Sequence, residues 1–386
     1  MARILNKHKQ ANTPLKRKVF VGISGGVDSA VAAALLKNQG YDVRGVFLRE
    51  YDLSLPGAFA DAVECTQEGD RQSALAVAAA LDIPFEEWDF RKTYQQEVVR
   101  SMVREYKAGR TPNPDIMCNS VIKFGLFLNR AVKEGADFVA TGHYAKIGCR
   151  VKGVGYSSRK LNAKRYTLDA ARDSAKDQTY FLYTLGQEQL KYCLFPIGGY
   201  EKAEVRAMAK RFNLPNWNRK DSQGICFIGK LSMKDFLKSA IKPKQGKLIM
   251  RDGSVVGTHD GAWYYTIGQR HGIGSRGGSD PLYVVGKDVK KNIVFVDHQE
   301  PSSALYAKEL VCSDVHWISG KQPKLPFTCL ARIRYRQPLQ RCTISKFKVT
   351  SSKLQVMFRL QQRAMSPGQS IVFYKGRTCL GGGIID

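Results

Sequence analysis

Short apolar runs alternate with longer segments of helical periodicity over the first half of the chain. The apolar runs predict β-strands that begin at Val19 and cover residues 42–48, 85–89 and 137–141. The periodic segments predict helices over residues 30–37, 71–81, 91–108, 121–133 and 201–212. Strands that are separated by helices pair in parallel. The pattern therefore predicts an α/β domain with a doubly wound parallel sheet, in which ligands bind beyond the carboxyl ends of the strands.

The pattern changes in the second half of the chain. Residues 151–160 predict a loop or hairpin, and residues 165–168 predict a strand. From Lys247 onward, short strand-like segments punctuated by glycines follow, and they read KLIMRDGSVVG, AWYYTIG, LYVVG, NIVFVD, LQVMFRL and SIVFY. Pro301 and two serines interrupt this rhythm, which indicates a boundary between two small β units. We therefore expect three domains, over residues 1–217, 218–300 and 301–386.

The charge of the chain indicates a polyanionic partner. The 61 Lys and Arg residues exceed the 34 Asp and Glu residues, and the formal net charge is +27. No basic amphipathic helix and no apolar run approaching a membrane span is present, so nucleic acid is favoured over a membrane. Residues 315–385 contain 13 Lys and Arg and no acidic residue. We expect this segment to contact phosphates, although a solvated surface is the simpler alternative.

The N-terminus and the cysteines bear on the compartment. The first 18 residues contain six Lys and Arg, no acid, and no apolar stretch of the kind that a secretory signal requires. We expect a cytoplasmic protein with a short basic start, and a mitochondrial presequence is the alternative. The nine cysteines are odd in number and include no CxxC pair, so neither a disulfide framework nor a zinc ribbon is expected. These features favour a reducing compartment.

A glycine-rich turn, GISGGVDS, joins the first strand to the first helix. Glycines let the backbone approach a ligand closely, and the start of the following helix presents free N–H groups to an anion. The loop therefore predicts a phosphate site. It lacks the Lys of a Walker A loop, which disfavours γ-phosphate transfer. The fourth strand ends at Gly142 and His143, which could share this pocket, although a turn of this kind can also be a plain connection.

Two cysteines lie in segments that suggest chemistry. Cys118 follows TPNPDIM, a turn rich in proline, and precedes the predicted helix over residues 121–133. A thiol near a helix N-terminus has a lowered pKa and a larger thiolate fraction. Cys226 lies in DSQGICFIG, between two glycines. Both are candidate nucleophiles, and spacing alone does not show whether they meet or are two unrelated thiols.

Nine motifs occur in order along the chain: GISGGVDS, GRTPNPDIMCN, ATGHY, KDQTYFLYTL, DSQGICFIG, YTIGQRHG, RYRQ, SPGQS and CLGGGIID. Together they resemble the tRNA-specific 2-thiouridylase family, whose bacterial members are called MnmA and which has a mitochondrial counterpart. The resemblance spans residues 18–386. It implies a PP-loop domain of the ATP pyrophosphatase superfamily, a small central β-rich domain and a C-terminal β-barrel that binds tRNA.

The resemblance also implies a reaction. ATP with Mg²⁺ adenylates the C2 oxygen of the wobble uridine, U34, and pyrophosphate leaves. A persulfide then supplies sulfur, which gives 2-thiouridine and AMP. The partners implied are the anticodon loop of the tRNA and a donor protein, either a sulfur relay or a cysteine desulfurase. A transient Cys118–Cys226 disulfide would release the sulfur.

The family's functional residues match this chain position by position. The ATP site matches Gly22, Ile23, Ser24, Gly25, Gly26, Val27, Asp28, Ser29, Leu48 and Gly142. The segment that faces the target base matches Asn113, Pro114 and Asp115, and the tRNA contacts match His143, Lys176, Asp177, Gln178, Arg334, Tyr335 and Gln369. Cys118 matches the nucleophile and Cys226 the persulfide carrier.

Some features of this chain leave roles open. Ile23 and the stretch from Leu48 to Glu50, with the SLPGAF that follows, depart from the usual family pattern. We expect Asp28 to help organise Mg²⁺ on the pyrophosphate, and helix capping is the alternative.

Two other classes of protein compete with this interpretation. Lysidine and GMP synthetases would share the adenylation but need no thiols. A non-catalytic RNA-binding protein would use the loop only as structure. The sequence also leaves open which tRNAs are modified, which protein donates sulfur and whether an iron–sulfur cluster takes part.

Overall fold

The first domain is built on a five-stranded parallel sheet. The computed structural model describes residues 16–50, 66–151, 164–221, 232–273, 281–298, 303–349 and 352–386. Its strands are numbered β1 to β17 along the chain. The parallel sheet contains β1 (Lys18–Gly22), β2 (Asp42–Arg49), β3 (Phe85–Asp89), β4 (Phe138–Ala140) and β7 (Cys193–Leu194). These strands lie in the order β3-β2-β1-β4-β7 and all neighbours are parallel.

Six helices accompany this sheet in the described residues. They are α1 (Val27–Asn38), α2 (Thr66–Ala80), α3 (Arg91–Thr93, Tyr94–Val99 and Arg100–Lys107), α4 (Pro114–Met117, Cys118–Phe127 and Leu128–Lys133), α5 (Gln187–Leu190) and α6 (Lys202–Arg211). The middle segments of α3 and α4 are π-helical. A π-helical segment inside an α-helix frequently marks a functional site.

Helices cover both faces of the sheet. Val19 and Val21 of β1 pack in one apolar cluster together with residues of α1, whereas Phe20 packs in a second cluster with Phe124 of α4. Alternate side chains of a strand point to opposite faces, so each face has its own core. This arrangement confirms the doubly wound α/β fold. It also brings the ends of β1, β2 and β4 to one edge of the sheet.

The central unit is a small mixed sheet with one helix. The helix α7 covers Met233–Ala240, and the strands are β8 (Gly246–Met250), β9 (Val255–His259), β10 (Leu282–Asp288) and β11 (Ile293–His298). They lie in the order β10-β11-β8-β9. The strand predicted for AWYYTIG is wrong, because Ala262–Tyr264 form a 3₁₀ turn. Ala262, Tyr264 and Tyr265 are all buried, so burial does not alternate as it would in a strand with one solvent-exposed face.

The C-terminal unit is a closed antiparallel barrel. Its six strands are β12 (Tyr306–Trp317), β13 (Phe327–Arg332), β14 (Gln340–Lys346), β15 (Leu354–Arg363), β16 (Ser370–Lys375) and β17 (Thr378–Ile385). They follow the order β12-β15-β14-β13-β16-β17, and a further pairing of β12 with β17 closes the ring. Closure removes exposed sheet edges. The barrel expected from the family resemblance is thereby confirmed.

A hairpin from the first half of the chain extends the barrel sheet. The strands β5 (Ala145–Val151) and β6 (Lys164–Ala170) pair with each other, and β6 pairs with β17. The strand predicted over residues 165–168 lies within β6, whereas most of the predicted 151–160 loop lies outside the described residues. The first domain and the barrel are therefore connected through a shared sheet. Within the described ranges, no helix is long and apolar enough to cross a membrane.

Candidate active site

The glycine-rich loop closes on itself through two serines. The backbone N–H of Ser24 donates to Oγ of Ser29 at 3.1 Å, and the two hydroxyl oxygens lie 3.2 Å apart. Gly25 has φ +77°, and a side chain there would collide with the carbonyl oxygen of Asp70. A glycine is therefore required at this turn. The helix α1 starts directly after it, with Gly26 as the N-cap.

Three side chains hold the glycine-rich loop through hydrogen bonds to one carbonyl oxygen. The carbonyl oxygen of Gly25 accepts hydrogen bonds from Ser73 Oγ at 2.8 Å, Asn216 Nδ2 at 2.8 Å and Arg219 at 3.2 Å. Arg219 also pairs with Asp70. No sequence signal pointed to these residues, because their segments carry no phosphate motif and lie far from the glycine-rich loop in sequence. Their contacts hold the loop in one shape.

Asp28 lies in a charged network at the start of α1. Its carboxylate accepts from Lys202 Nζ at 2.8 and 2.9 Å and from the Tyr144 hydroxyl at 2.9 Å. Lys202 also lies 2.8 Å from Asp221. Partial burial favours protonation of Asp221, but hydrogen bonds from Lys176 and Lys202 outweigh it and lower its pKa to about 2. Asp28 thus has an ion-pair partner, and the described contacts of its side chain include no helix cap.

The fourth strand ends against the glycine-rich loop, as predicted. A Cβ on Gly142 would lie 2.6 Å from the N atom of Ser29, so only a glycine fits between the end of β4 and the start of α1. Ile23 and Val27 are buried, and Leu48 packs against the core beneath the sheet edge. The predicted ATP contacts of these three apolar residues stay predictions.

His143 points into the protein core. It is 8% exposed, its Nδ1 lies 2.7 Å from Thr141 Oγ1, and its ring packs against Phe124 and Phe195. Burial lowers the pKa of His143 well below its usual value, and nearby Lys123 lowers it further. The imidazole is therefore neutral at pH 7. Its placement gives no support to a tRNA contact, which stays a prediction.

Cys118 lies in α4, beyond the carboxyl end of β2. It is 5% exposed, and its thiol donates to Glu50 Oε1 at 3.5 Å. The helix was predicted to begin at residue 121 but begins at Pro114, so the thiol is in the second turn and not at the N-terminus. The prolines of this segment predicted a turn, but proline is also favoured at the first position of a helix. Asn113 caps this helix, accepting from the N–H groups of the second and third helical residues.

The second candidate nucleophile, Cys226, belongs to residues 222–231, which lie outside the described part of the chain. What surrounds Cys118 is charged. Burial raises the pKa of both Glu50 and Asp115, and Lys123 lowers both. Among the residues that the structure describes, no group of three or more His, Cys, Asp or Glu could hold a metal ion.

The KDQ segment is occupied by contacts within the protein. Lys176 pairs with Asp221 at 2.8 Å. Asp177 is 3% exposed, accepts from the Thr179 hydroxyl, and lies 3.6 Å from Arg332. Gln178 accepts from the backbone N–H of Tyr144 at 2.8 Å. These contacts give each residue a structural role, and the predicted tRNA contacts stay predictions.

The barrel residues of the predicted tRNA surface differ in exposure. Arg334 donates to the carbonyl oxygens of Ile267 at 3.1 Å and Ala364 at 2.9 Å, which joins the central unit to the barrel. Burial lowers its pKa. Tyr335 packs on Phe181 with ring centroids 4.5 Å apart. Arg336 is exposed and lies over the Tyr335 ring. Only Arg336 of this group presents an exposed cation.

A barrel turn fixes the segment that precedes Asn113. Gln369 Nε2 donates to the carbonyl oxygen of Thr111 at 2.7 Å, and the Thr111 N–H donates to the carbonyl oxygen of Pro367 at 2.7 Å. Gly368 has φ +90°, and a Cβ there would lie 2.7 Å from the Thr111 N atom. The predicted tRNA residue Gln369 therefore positions the predicted target-base segment.

The barrel cysteines behave as core residues. Cys312, Cys329, Cys342 and Cys379 are buried. Burial raises the pKa of Cys312 to about 12, with smaller contributions from Asp386 and Cys342, and burial also raises that of Cys379. Such thiols carry almost no thiolate at neutral pH and are poor nucleophiles.

We predict that Cys312→Ala leaves catalysis intact. The substitution removes one buried sulfur atom and should cost about 1 kcal/mol of stability. Urea unfolding should show this loss, while the rate of product formation should stay within about twofold of wild type. A large loss of activity in a folded Cys312→Ala protein would place sulfur chemistry in the barrel.

Three family models match consecutive parts of the chain. Residues 17–230 match the tRNA methyl transferase HUP domain, residues 234–298 match the tRNA methyl transferase PRC-barrel domain, and residues 307–385 match the aminomethyltransferase beta-barrel domain. The first match alone covers more than half of the chain.

Similar proteins extend over almost the whole chain. The tRNA-specific 2-thiouridylase MnmA of Halalkalibacterium halodurans is 45% identical over 377 residues, which cover 98% of this chain and 96% of that protein. The MnmA of Geobacillus thermodenitrificans is 44% identical over a match that covers 97% of this chain and 95% of that protein. The MnmA of Nitrosococcus oceani is 44% identical over a match that covers 96% of this chain and 97% of that protein.

Proposed function

Because the chain belongs to the tRNA-specific 2-thiouridylase MnmA family, we propose that it is an ATP-dependent tRNA-uridine 2-sulfurtransferase. The observation that carries the proposal is the meeting of two sites at one sheet edge. The glycine-rich loop follows β1, and the Cys118 thiol lies against Glu50, which follows the neighbouring strand β2. A phosphate-binding loop beside a thiol fits adenylation followed by sulfur attack.

In the proposed reaction, the uracil C2 oxygen attacks the α-phosphorus of ATP and pyrophosphate leaves. Adenylation makes the oxygen a leaving group. The persulfide on Cys226 then attacks C2, AMP departs, and an enzyme–substrate disulfide forms. Cys118 attacks the Cys226 sulfur of that disulfide and releases 2-thiouridine, which leaves a Cys118–Cys226 disulfide for an external reductant.

The loop supports the ATP part of the proposal. The tight turn at Gly25 and the close fit at Gly142 keep side chains away from the start of α1, where backbone N–H groups can face an anion. Mg²⁺ would arrive with the phosphates. The Asp28 carboxylate accepts hydrogen bonds from Lys202 and Tyr144. With ATP bound, it would therefore share its oxygens between Lys202 and Mg²⁺.

The tRNA part of the proposal rests on charge and on the barrel contacts. The target base must leave its stack before its C2 edge can be reached, so a pocket and a separate basic platform are required. Segment 315–385, with 13 basic residues, would supply the platform. Asn113, Pro114 and Asp115, held by Gln369 through Thr111, would face the base. A desulfurase or relay protein would load Cys226.

We place this reaction in the cytoplasm, with the mitochondrion as the alternative. A free nucleophilic thiol requires a reducing compartment. The seven described cysteines are all free, which fits that requirement.

Methyl transfer is a second candidate, because two of the matching family models are described as tRNA methyl transferase domains. The site favours sulfur transfer, since a pyrophosphate loop has no use in simple methylation. Nucleosides from tRNA incubated with the enzyme, ATP and a persulfide donor should contain 2-thiouridine by mass spectrometry. A methylated uridine formed with a methyl donor, and no 2-thiouridine, would favour the other candidate.

We predict that two neighbouring arginines affect tRNA binding differently. Arg336→Ala should weaken tRNA binding and reduce the slope of log affinity against log salt by about one, because an exposed phosphate contact is lost. Arg334→Ala should instead reduce stability by about 2 kcal/mol, because its hydrogen bonds between two units are lost. Filter binding over a salt series and urea unfolding separate the effects. An unchanged slope in Arg336→Ala would place the tRNA elsewhere.

A further inference from the structure

One carboxylate beside the Cys118 thiol comes from outside every motif that carried the family resemblance. Glu50 is the first residue after β2, within the stretch in which the chain departs from the family pattern. Its Oε1 accepts the Cys118 S–H at 3.5 Å. Cys118 is 5% exposed, so water has little access to its thiol proton. A carboxylate in hydrogen-bond contact can take such a proton directly.

We propose that Glu50 is the proton acceptor for the Cys118 thiol. The inference rests on the proposed function, in which Cys118 attacks the Cys226 sulfur of the enzyme–substrate disulfide. In the step, the S–H bond of Cys118 breaks, its electron pair stays on Sγ, and the proton moves to Oε1 of Glu50. Glu50 becomes a neutral carboxylic acid, and Cys118 becomes a thiolate.

The attack of the Cys118 thiolate that follows needs no oxidant. The thiolate of Cys118 forms an S–S bond to Cys226, and the bond between Cys226 and the transferred sulfur breaks. Its electron pair leaves on the thiouridine as an anion. That anion needs one proton to become 2-thiouridine, and the acid form of Glu50 holds one. The same carboxyl can therefore serve as base and then as acid.

The charges around Glu50 suit this exchange. Burial raises its pKa, which brings a carboxyl closer to the pKa of a thiol and makes proton transfer between them easier. Lys123 and the Cys118 hydrogen bond oppose this rise, and Asp115 adds to it. Lys123 also lowers the pKa of Asp115 and of the neutral, buried His143, so its positive charge acts throughout the site. A cation there stabilises the negative charge as it moves from Glu50 to the Cys118 sulfur.

Alkylation of Cys118 tests the inference without ATP or tRNA. Iodoacetamide would be added over a pH series, and the Cys118 peptide would be quantified by mass spectrometry. In the wild type, the rate should reach a plateau at pH values above the pKa of Glu50, where the carboxylate can accept the proton. In Glu50→Gln, the rate at neutral pH should fall about 10-fold and rise in proportion to hydroxide.

Two controls accompany the experiment. Cys149 is exposed and lies in the same chain, so its alkylation rate should be the same in every variant. Glu188→Gln makes the same chemical change at a surface position whose side chain is 82% exposed, and it should keep the wild-type profile. Glu50→Asp keeps a carboxylate and should retain the plateau at a lower rate, which also covers a failure of Glu50→Gln to fold.

The direction of the change in the Cys118 alkylation rate distinguishes proton acceptance by Glu50 from a purely electrostatic role. If Glu50 only repels the thiolate, Glu50→Gln will react faster than wild type near neutral pH, because a negative charge has been removed. A faster rate or an unchanged profile would overturn the inference. If the wild type forms no 2-thiouridine, the proposed function fails, whereas the alkylation result still reports on Glu50 and Cys118.

Discussion

Cys118→Ala is expected to form no measurable 2-thiouridine, with a loss of at least about 1000-fold in rate. The substitution removes the thiol that resolves the enzyme–substrate disulfide in the proposed mechanism. Transfer of sulfur onto Cys226 should be unaffected, because loading needs only the donor and the Cys226 thiol. Intact-protein mass spectrometry would measure the persulfide, and nucleoside mass spectrometry would measure the product.

The matched variant is Cys226→Ala, which should neither accept sulfur nor form product. Because Cys118 is buried, the stability of Cys118→Ala must be checked by unfolding, and a loss of about 1 kcal/mol is expected. Cys312→Ala is the control for a buried thiol without a role. Persulfide that accumulates on Cys118 and never on Cys226 would reverse the two assignments.

Asp28→Asn should reduce the release of AMP and pyrophosphate by about 100-fold, since a charge beside the phosphates is lost. The protein should stay folded, because Lys202 keeps its contact with Asp221 at 2.8 Å. Affinity for tRNA and persulfide loading should be unchanged. Pyrophosphate release measured in the presence of tRNA would show the loss.

Lys202→Met separates the two roles that Asp28 can have. If Asp28 binds Mg²⁺, Asp28→Asn should need a higher Mg²⁺ concentration for half-maximal turnover, and Lys202→Met should not. If Asp28 only positions Lys202, both variants should lose the same activity at unchanged Mg²⁺ dependence. Near wild-type turnover of Asp28→Asn at ordinary Mg²⁺ would remove Asp28 from the mechanism.

Local signals in the sequence predicted the architecture of the glycine-rich loop. The strand, the two glycines and the following helix are consecutive, so the periodicity and the glycines suffice to place residues 19–38. The parallel pairing of β1 with β4 then brings Gly142 to the loop. The residues that fasten the loop, including Asn216 and Arg219, come from distant segments. No spacing rule connects them to Gly25.

Other features depend on tertiary contacts that a single sequence does not display. The start of α4 was misplaced because Asn113 and Pro114 favour both turns and helix starts. The strands β12, β13, β14 and β17 were missed; their burial depends on closure of the barrel. The sequence also does not show which arginines of the barrel are exposed. RYRQ shows two similar cations, yet Arg334 binds two carbonyl oxygens and Arg336 is exposed.

The proposed mechanism requires that ATP activates the C2 oxygen of a tRNA uridine for replacement by sulfur. The most direct measurement uses tRNA whose target uridine carries ¹⁸O at C2, with the enzyme, ATP and a persulfide donor. Mass spectrometry of the products should find ¹⁸O in the phosphate of AMP, in a one-to-one ratio with 2-thiouridine. AMP that carries no ¹⁸O while 2-thiouridine forms would contradict adenylation of the uracil oxygen.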